Sequence, residues 1–96
     1  MLVLVSYDVA TTTSAGRKRL TKVSKTCSGF GVRVQYSVFE CEVDPAQWER
    51  LRTRLLAVIN PNQDSLRFYF MGSHWEGKVE HHGLRKAPDM RGLLVL

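Results

Sequence analysis

"GVRVQYSVFECEV", residues 31 to 43, is a β segment with a fault in its rhythm. Val32, Val34 and Tyr36 hold one phase of alternation, and Phe39, Cys41 and Val43 hold the other. A strand places alternate residues on opposite faces, so one unbroken strand cannot bury both sets on one side. The slip at Ser37-Val38 predicts a tight turn or bulge between two short strands. Two adjacent strands in mid-chain are the piece on which the topology turns.

Upstream, residues 15 to 27 predict a helix. Leu20, Val23 and Cys27 recur at three and four, one buried stripe, while Arg17, Lys18, Lys22 and Lys25 fall mostly away from it. Thr11 to Ser14 supply hydroxyls for a turn and an N-cap. Gly29 and Gly31 are expected to end the helix through a left-handed cap. Before it, Met1 to Val5 are all apolar, which suits a central strand buried on both faces and emerging at Tyr7-Asp8. Downstream, Asp44-Pro45-Ala46-Gln47 opens a second helix. Asp44 can cap it, Pro45 suits its first position and Gln47 can reach back. Trp48, Leu51, Leu55 and Val58 form its stripe, and Asn60-Pro61 stops it. "LRFYFM", residues 66 to 71, is a strand with Leu66, Phe68 and Phe70 on one face.

The order β-α-β-β-α-β is the split βαβ of ferredoxin-like domains, an α+β fold with two helices on one face of an antiparallel sheet. The expectation is one such domain over residues 1–96, with the opposite sheet face partly bare and inviting a second copy. Residues 72 to 96 lie outside the unit. His74, Trp75 and "KVEHHG" are expected to extend the sheet. "GLLVL", residues 92 to 96, needs burial. It reads as a C-terminal extra strand, exchanged or packed across a homodimer.

The chain has 96 residues, 44% of them hydrophobic, so its core is thin. Its net charge of +5 favours an anionic partner, with nucleic acid ahead of membrane because no strongly apolar amphipathic stretch accompanies the charge. No segment approaches the roughly 20 apolar residues that cross a bilayer. The opening apolar run lacks the basic flank and length of a signal peptide. A cytoplasmic protein is expected. Two cysteines, Cys27 and Cys41, are too few for a disulfide scaffold and read as small buried apolar residues.

Two features carry chemistry. Asp8 is a carboxylate where a buried strand emerges, a place for a hard cation such as magnesium or for a turn-forming aspartate. One carboxylate holds a cation poorly, and a two-fold dimer with Asp8 near its axis would bring a second. No further acid follows until Glu40, while Arg17, Lys18, Arg19, Lys22, Lys25 and Arg33 intervene. A merely solvated face mixes signs, so this one-sided run reads as phosphate-binding. His74, His81 and His82 lack metal-ligand spacing with the cysteines. Phe68, Tyr69 and Phe70 read as core more simply than as a base-stacking face.

Taken together, "VSYDV" at the end of strand one, Arg17 and Arg19 close behind it, and "RVQYSVFE" at residues 33 to 40 resemble the small CRISPR-associated nucleases of the Cas-two family. The likeness covers nearly the whole chain, and "RVQYSVFE" is its most specific part. The resemblance implies a ferredoxin-like homodimer with magnesium bound between subunits at Asp8. It also implies that Tyr7, Arg17, Arg19, Arg33, Ser37 and Phe39 lie at or near the catalytic site. The activity implied is metal-dependent cleavage, of single-stranded RNA first and duplex DNA second, within spacer acquisition. The alternative is a non-catalytic, dimeric nucleic-acid-binding subunit that bridges the CRISPR integrase. No histidine falls in the matched motifs, so no general base is identified.

Overall fold

The computed structural model describes residues 1–72 and 78–84. Among them the order is β1 (Leu2–Asp8), α1 (Ser14–Ser28), β2 (Val32–Gln35), β3 (Val38–Glu42), α2 (Pro45–Val58), β4 (Ser65–Met71) and β5 (Lys78–Gly83). The strands form one antiparallel sheet in the order β2-β3-β1-β4-β5. Its first four strands follow the ferredoxin-like arrangement. "KVEHHG" adds the fifth, hydrogen-bonded to β4 of the same chain. His74, Trp75 and "GLLVL" lie outside the described residues.

β1 is central because its side chains are apolar on both faces. Val3, Val5 and Tyr7 point to the helices and meet Val23 and Cys27 of α1, Leu51 and Leu55 of α2, Phe39 and Cys41 of β3, and Leu66, Phe68 and Phe70 of β4. The indole of Trp48 meets Phe68 and Phe70 edge-on, with centroids 4.7 and 5.1 Å away. On the other face, Leu4, Val38 and Tyr69 make a smaller cluster with Met71 against it. The middle of that face is buried. Leu4 and Tyr69 are direct cross-strand partners within it.

Both helices start as their sequences direct. The hydroxyl of Thr13 accepts from the Gly16 N–H, and Asp44 and Gln47 form a reciprocal capping box with Pro45 in the first turn. The two glycines after α1 correct an expectation. Gly29 has a right-handed φ of −74°, and Gly31 is not among the residues with positive φ. Gly31 is needed for room instead: a Cβ there would run into the Glu40 carbonyl oxygen and Cys41.

The phase slip is a two-residue turn, Tyr36-Ser37, between β2 and β3, and the register shifts once more between Arg33 and Gln35. The first phase, however, is not buried. β2 is a short edge strand, and Val32, Val34 and Tyr36 are all exposed, while Arg33 takes the helix-facing side. Among the described residues, no helix is long and apolar enough to cross a membrane.

Candidate functional site

Tyr7 and Asp8 are neighbours in sequence and lie on opposite sides of the sheet. Tyr7 is buried in the helix-side core, and Asp8, the last residue of β1, is exposed on the other face. The residues singled out in sequence are thus brought to one end of the sheet but divided by its thickness.

On the helix side, Tyr7, Arg33 and Phe39 converge. The Arg33 guanidinium lies 5.1 Å from the Phe39 ring centroid and donates to the Ser24 hydroxyl. The Tyr7 and Phe39 rings stack with centroids 6.3 Å apart. The Tyr7 N–H donates to the Ser37 carbonyl at 3.1 Å, which ties the β2–β3 turn to the end of β1. Burial pushes the Tyr7 phenol above its ordinary value, against the opposing pull of Ser24 and Arg33, so it stays neutral at physiological pH. Tyr7, Ser24, Arg33 and Ser37 border a cleft of about 260 Å³ between α1 and the β2–β3 turn, and Phe39 lies behind Arg33.

The basic residues of α1 divide. Lys18, Lys22 and Lys25 are exposed, and so is Arg17, whose guanidinium donates to the Thr11 carbonyl at 3.2 Å. Arg19 turns inward. Its Nε donates to Asp64 Oδ2 at 2.9 Å and its Nη2 to Asp64 Oδ1 at 3.3 Å and to the Gln63 side chain at 3.0 Å. Asp64 is fully buried and also accepts from the backbone N–H groups of Ala10 and Asn60, at 3.0 and 2.8 Å. Burial works against its charge, but Arg19 and the two backbone donors outweigh that and hold its carboxyl below the ordinary value. Gly83 closes over the same point. Its φ is +87°, and a Cβ there would collide with the Asp64 carbonyl.

Sequence reasoning missed Asp64, Ser24 and a cluster on the face that carries Asp8. There, Arg67 donates through Nε to His81 Nδ1 at 2.9 Å and through Nη1 to the Tyr69 hydroxyl at 3.2 Å. His81 Nδ1 is therefore the unprotonated nitrogen, and Nε2–H faces the Gly83 carbonyl at 3.2 Å. The signal available was the period of two, which puts Arg67 and Tyr69 opposite Leu66, Phe68 and Phe70. On the helix side, Glu80 takes Arg52 at 2.6 Å and His82. Burial raises its carboxyl, but these partners more than offset that and leave it below the ordinary value. The thiols of Cys27 and Cys41 are pushed up by burial to about 12 and about 11. They are free and inert at neutral pH.

Fold and charge together define a small ferredoxin-like protein with a basic helix on one side of its sheet and an exposed carboxylate on the other. The model of the family "CRISPR associated protein Cas2" matches residues 1–79, and the chain belongs to that family. It is 59% identical over 96 residues to the "CRISPR-associated endoribonuclease Cas2" of Chlorobaculum tepidum, covering both chains fully. It is 52% identical over 96 residues to the protein of the same name from Nitratidesulfovibrio vulgaris, covering all of this chain and 94% of that one. The crystal structure of Streptococcus pyogenes Cas2 at pH 6.5 matches with a TM-score of 0.70 and 53% identity, over 78% of this chain and 90% of that one.

Proposed function

We propose that this chain is a magnesium-dependent endoribonuclease of CRISPR spacer acquisition, acting as a two-fold homodimer in the cytoplasm alongside the CRISPR integrase. The observation that carries the reading is Asp8: an exposed carboxylate ending a strand whose Val3 to Tyr7 are all buried. The names of the Chlorobaculum and Nitratidesulfovibrio relatives, endoribonucleases similar along the whole chain, support RNA as the first substrate class.

Asp8 fits the metal in part. Its oxygens are the hard donors magnesium takes, and magnesium keeps several waters when held by one or two carboxylates. Among the described residues no three His, Cys, Asp or Glu side chains cluster to hold a metal, so Asp8 of a second copy is needed to supply another carboxylate. Magnesium, when bound there, would polarise the phosphodiester and lower the pKa of a water.

The chain's own groups do the rest. Arg17, Lys18, Lys22 and Lys25 draw the anionic backbone to α1. Arg33, steadied by Phe39 and Ser24, offers planar hydrogen-bond donors to a phosphate. Tyr7, Ser37 and Phe39 position Arg33 and the end of β1 rather than exchange protons. Arg19 supports the site through Asp64, by fixing α1 against the loop that leads into β4.

The test is cleavage of single-stranded RNA and of duplex DNA by the purified protein, with magnesium or with a chelator. Magnesium-dependent RNA products support the reading. Binding without cleavage of either substrate overturns it in favour of a non-catalytic bridging subunit. A protein that sediments as a monomer at micromolar concentration removes the shared site.

A further inference from the structure

The cleft between α1 and the β2–β3 turn has a chemistry that phosphate attraction alone does not require. Its rim carries two cations, Lys25 and Arg33, and its walls carry the hydroxyls of Thr21, Ser24 and Ser37. Among the described residues, no carboxylate lines it. Arg33 is held in place from two sides, by the Phe39 ring at 5.1 Å and by the Ser24 hydroxyl. At the mouth stands Tyr36, 84% exposed, the most exposed of the large hydrophobic side chains described. An aromatic ring left in water at a turn, beside two cations and three hydroxyls, matches what a nucleotide presents: a phosphate, polar sugar edges and a flat base. The volume, about 260 Å³, is at the small end for ligand sites and far too small for a duplex.

We propose that this cleft is a single-nucleotide subsite for one unpaired nucleotide of a nucleic-acid strand. The phosphate sits at Lys25 and Arg33, and the base stacks on Tyr36. The proposal deepens the nucleic-acid reading given above and rests on it for the class of ligand. It also gives the divided site a use. The cleft includes Tyr7, and Asp8 is the next residue on the opposite face of the sheet. A strand gripped at the cleft by one nucleotide passes around the end of β1, and a neighbouring phosphodiester then falls on the Asp8 side. The subsite selects strands with an unpaired nucleotide, because a paired base cannot lie on Tyr36.

The test uses the full chain with a chelator present, so that no cleavage enters the readout. Adenosine 5′-monophosphate, adenosine and a 5′-phosphorylated adenosine trinucleotide are titrated and followed by backbone amide shifts and calorimetry. The monophosphate should perturb Ser24, Lys25, Arg33, Tyr36 and Ser37, and adenosine should bind far more weakly. Tyr36→Ala should weaken the monophosphate about tenfold, as loss of one base–aromatic stack does. Because Tyr36 is exposed, its removal leaves the fold intact. Lys25→Ala gives an independent loss on the phosphate side. The trinucleotide should perturb the same amides at least as tightly as the monophosphate, which marks a strand as the ligand.

Equal affinity of Tyr36→Ala and the parent overturns the proposal. So do shifts spread evenly along α1, or a trinucleotide that fails to compete with the monophosphate. A parent that binds the monophosphate here yet cleaves nothing leaves the subsite standing and removes only the nuclease reading. A parent that cleaves RNA without these shifts does the reverse.

Discussion

Asp8 and Asp64 stand at the same end of the sheet: Asp8 pairs in register with Ser65, the residue after Asp64. Their surroundings are opposite. Asp64 has no exposed surface, and its two oxygens accept from Arg19, Ala10 and Asn60. Asp8 is exposed on the far face of the sheet. The first carboxylate has its charge consumed by the fold, since it pins α1, the end of β1 and the Asn60–Asp64 loop together. The second ends β1 on the surface, and among the described residues no hydrogen bond or ion pair to its side chain is seen. A carboxylate exposed on the sheet surface is a better functional candidate than one whose charge the fold already holds.

Mutations that exchange the two roles test this contrast. Asp64→Asn should destabilise the protein by about 3 kcal/mol, because it leaves a largely buried Arg19 without its counter-charge. Denaturant unfolding measures it, and a loss near zero would break the contrast. The pH dependence has a definite sign. The folded carboxyl of Asp64 lies below its ordinary 3.8, so its contribution is full above that value and is lost as pH falls through the lower folded value. The stability gap between parent and Asp64→Asn should therefore narrow in acid and hold constant through neutral pH.

Arg19 and Arg17 repeat the comparison on the cationic side. Arg19→Ala should cost about 2–3 kcal/mol, since it strands a buried carboxylate. Arg17→Ala should leave stability within about 0.5 kcal/mol and lower the salt dependence of nucleic-acid binding by roughly one unit or slightly less. Equal effects of the two on stability would mean the ion pair is no more than a surface contact. Asp44 supplies the intermediate case, an exposed carboxylate with a local structural task. Asp44→Ala should cost about 1 kcal/mol through loss of its cap, and urea midpoints resolve it. Asp8→Asn should change stability least of the carboxylate substitutions, by less than about 0.5 kcal/mol.

The fold was legible because its signals are local. The phase slip at Ser37-Val38, the capping box at Asp44 and the stripe at Leu51 and Leu55 depend on residues a few positions apart, and each appears in the structure. The same locality limits what such patterns say. Val32, Val34 and Tyr36 alternate as a buried strand would, but their exposure follows from β2 lying at the sheet edge, a fact of topology. Gly31 was read through its own conformation, whereas the constraint is the approach of β3.

The site was legible in part. Asp8, Tyr7, Arg33 and Phe39 follow from the motif, and Tyr7, Arg33 and Phe39 do converge. Arg19 looked like its neighbours Arg17 and Lys18 because its partner lies 45 residues away. Asp64 looked like one more polar loop residue for the same reason. A period-two or period-four pattern carries no information about which long-range carboxylate an arginine will find.

The central claim is that Asp8 serves chemistry and not the fold. The most direct measurement pairs two readouts on Asp8→Asn: cleavage of single-stranded RNA in magnesium, and affinity for the same RNA in chelator, with the melting temperature recorded for both proteins. Asp8→Asn should lose cleavage, keep the parental melting temperature, and retain or tighten binding because a phosphate-repelling charge is gone. Cleavage by Asp8→Asn at the parental rate would contradict it, as would a variant that loses cleavage only because it no longer folds.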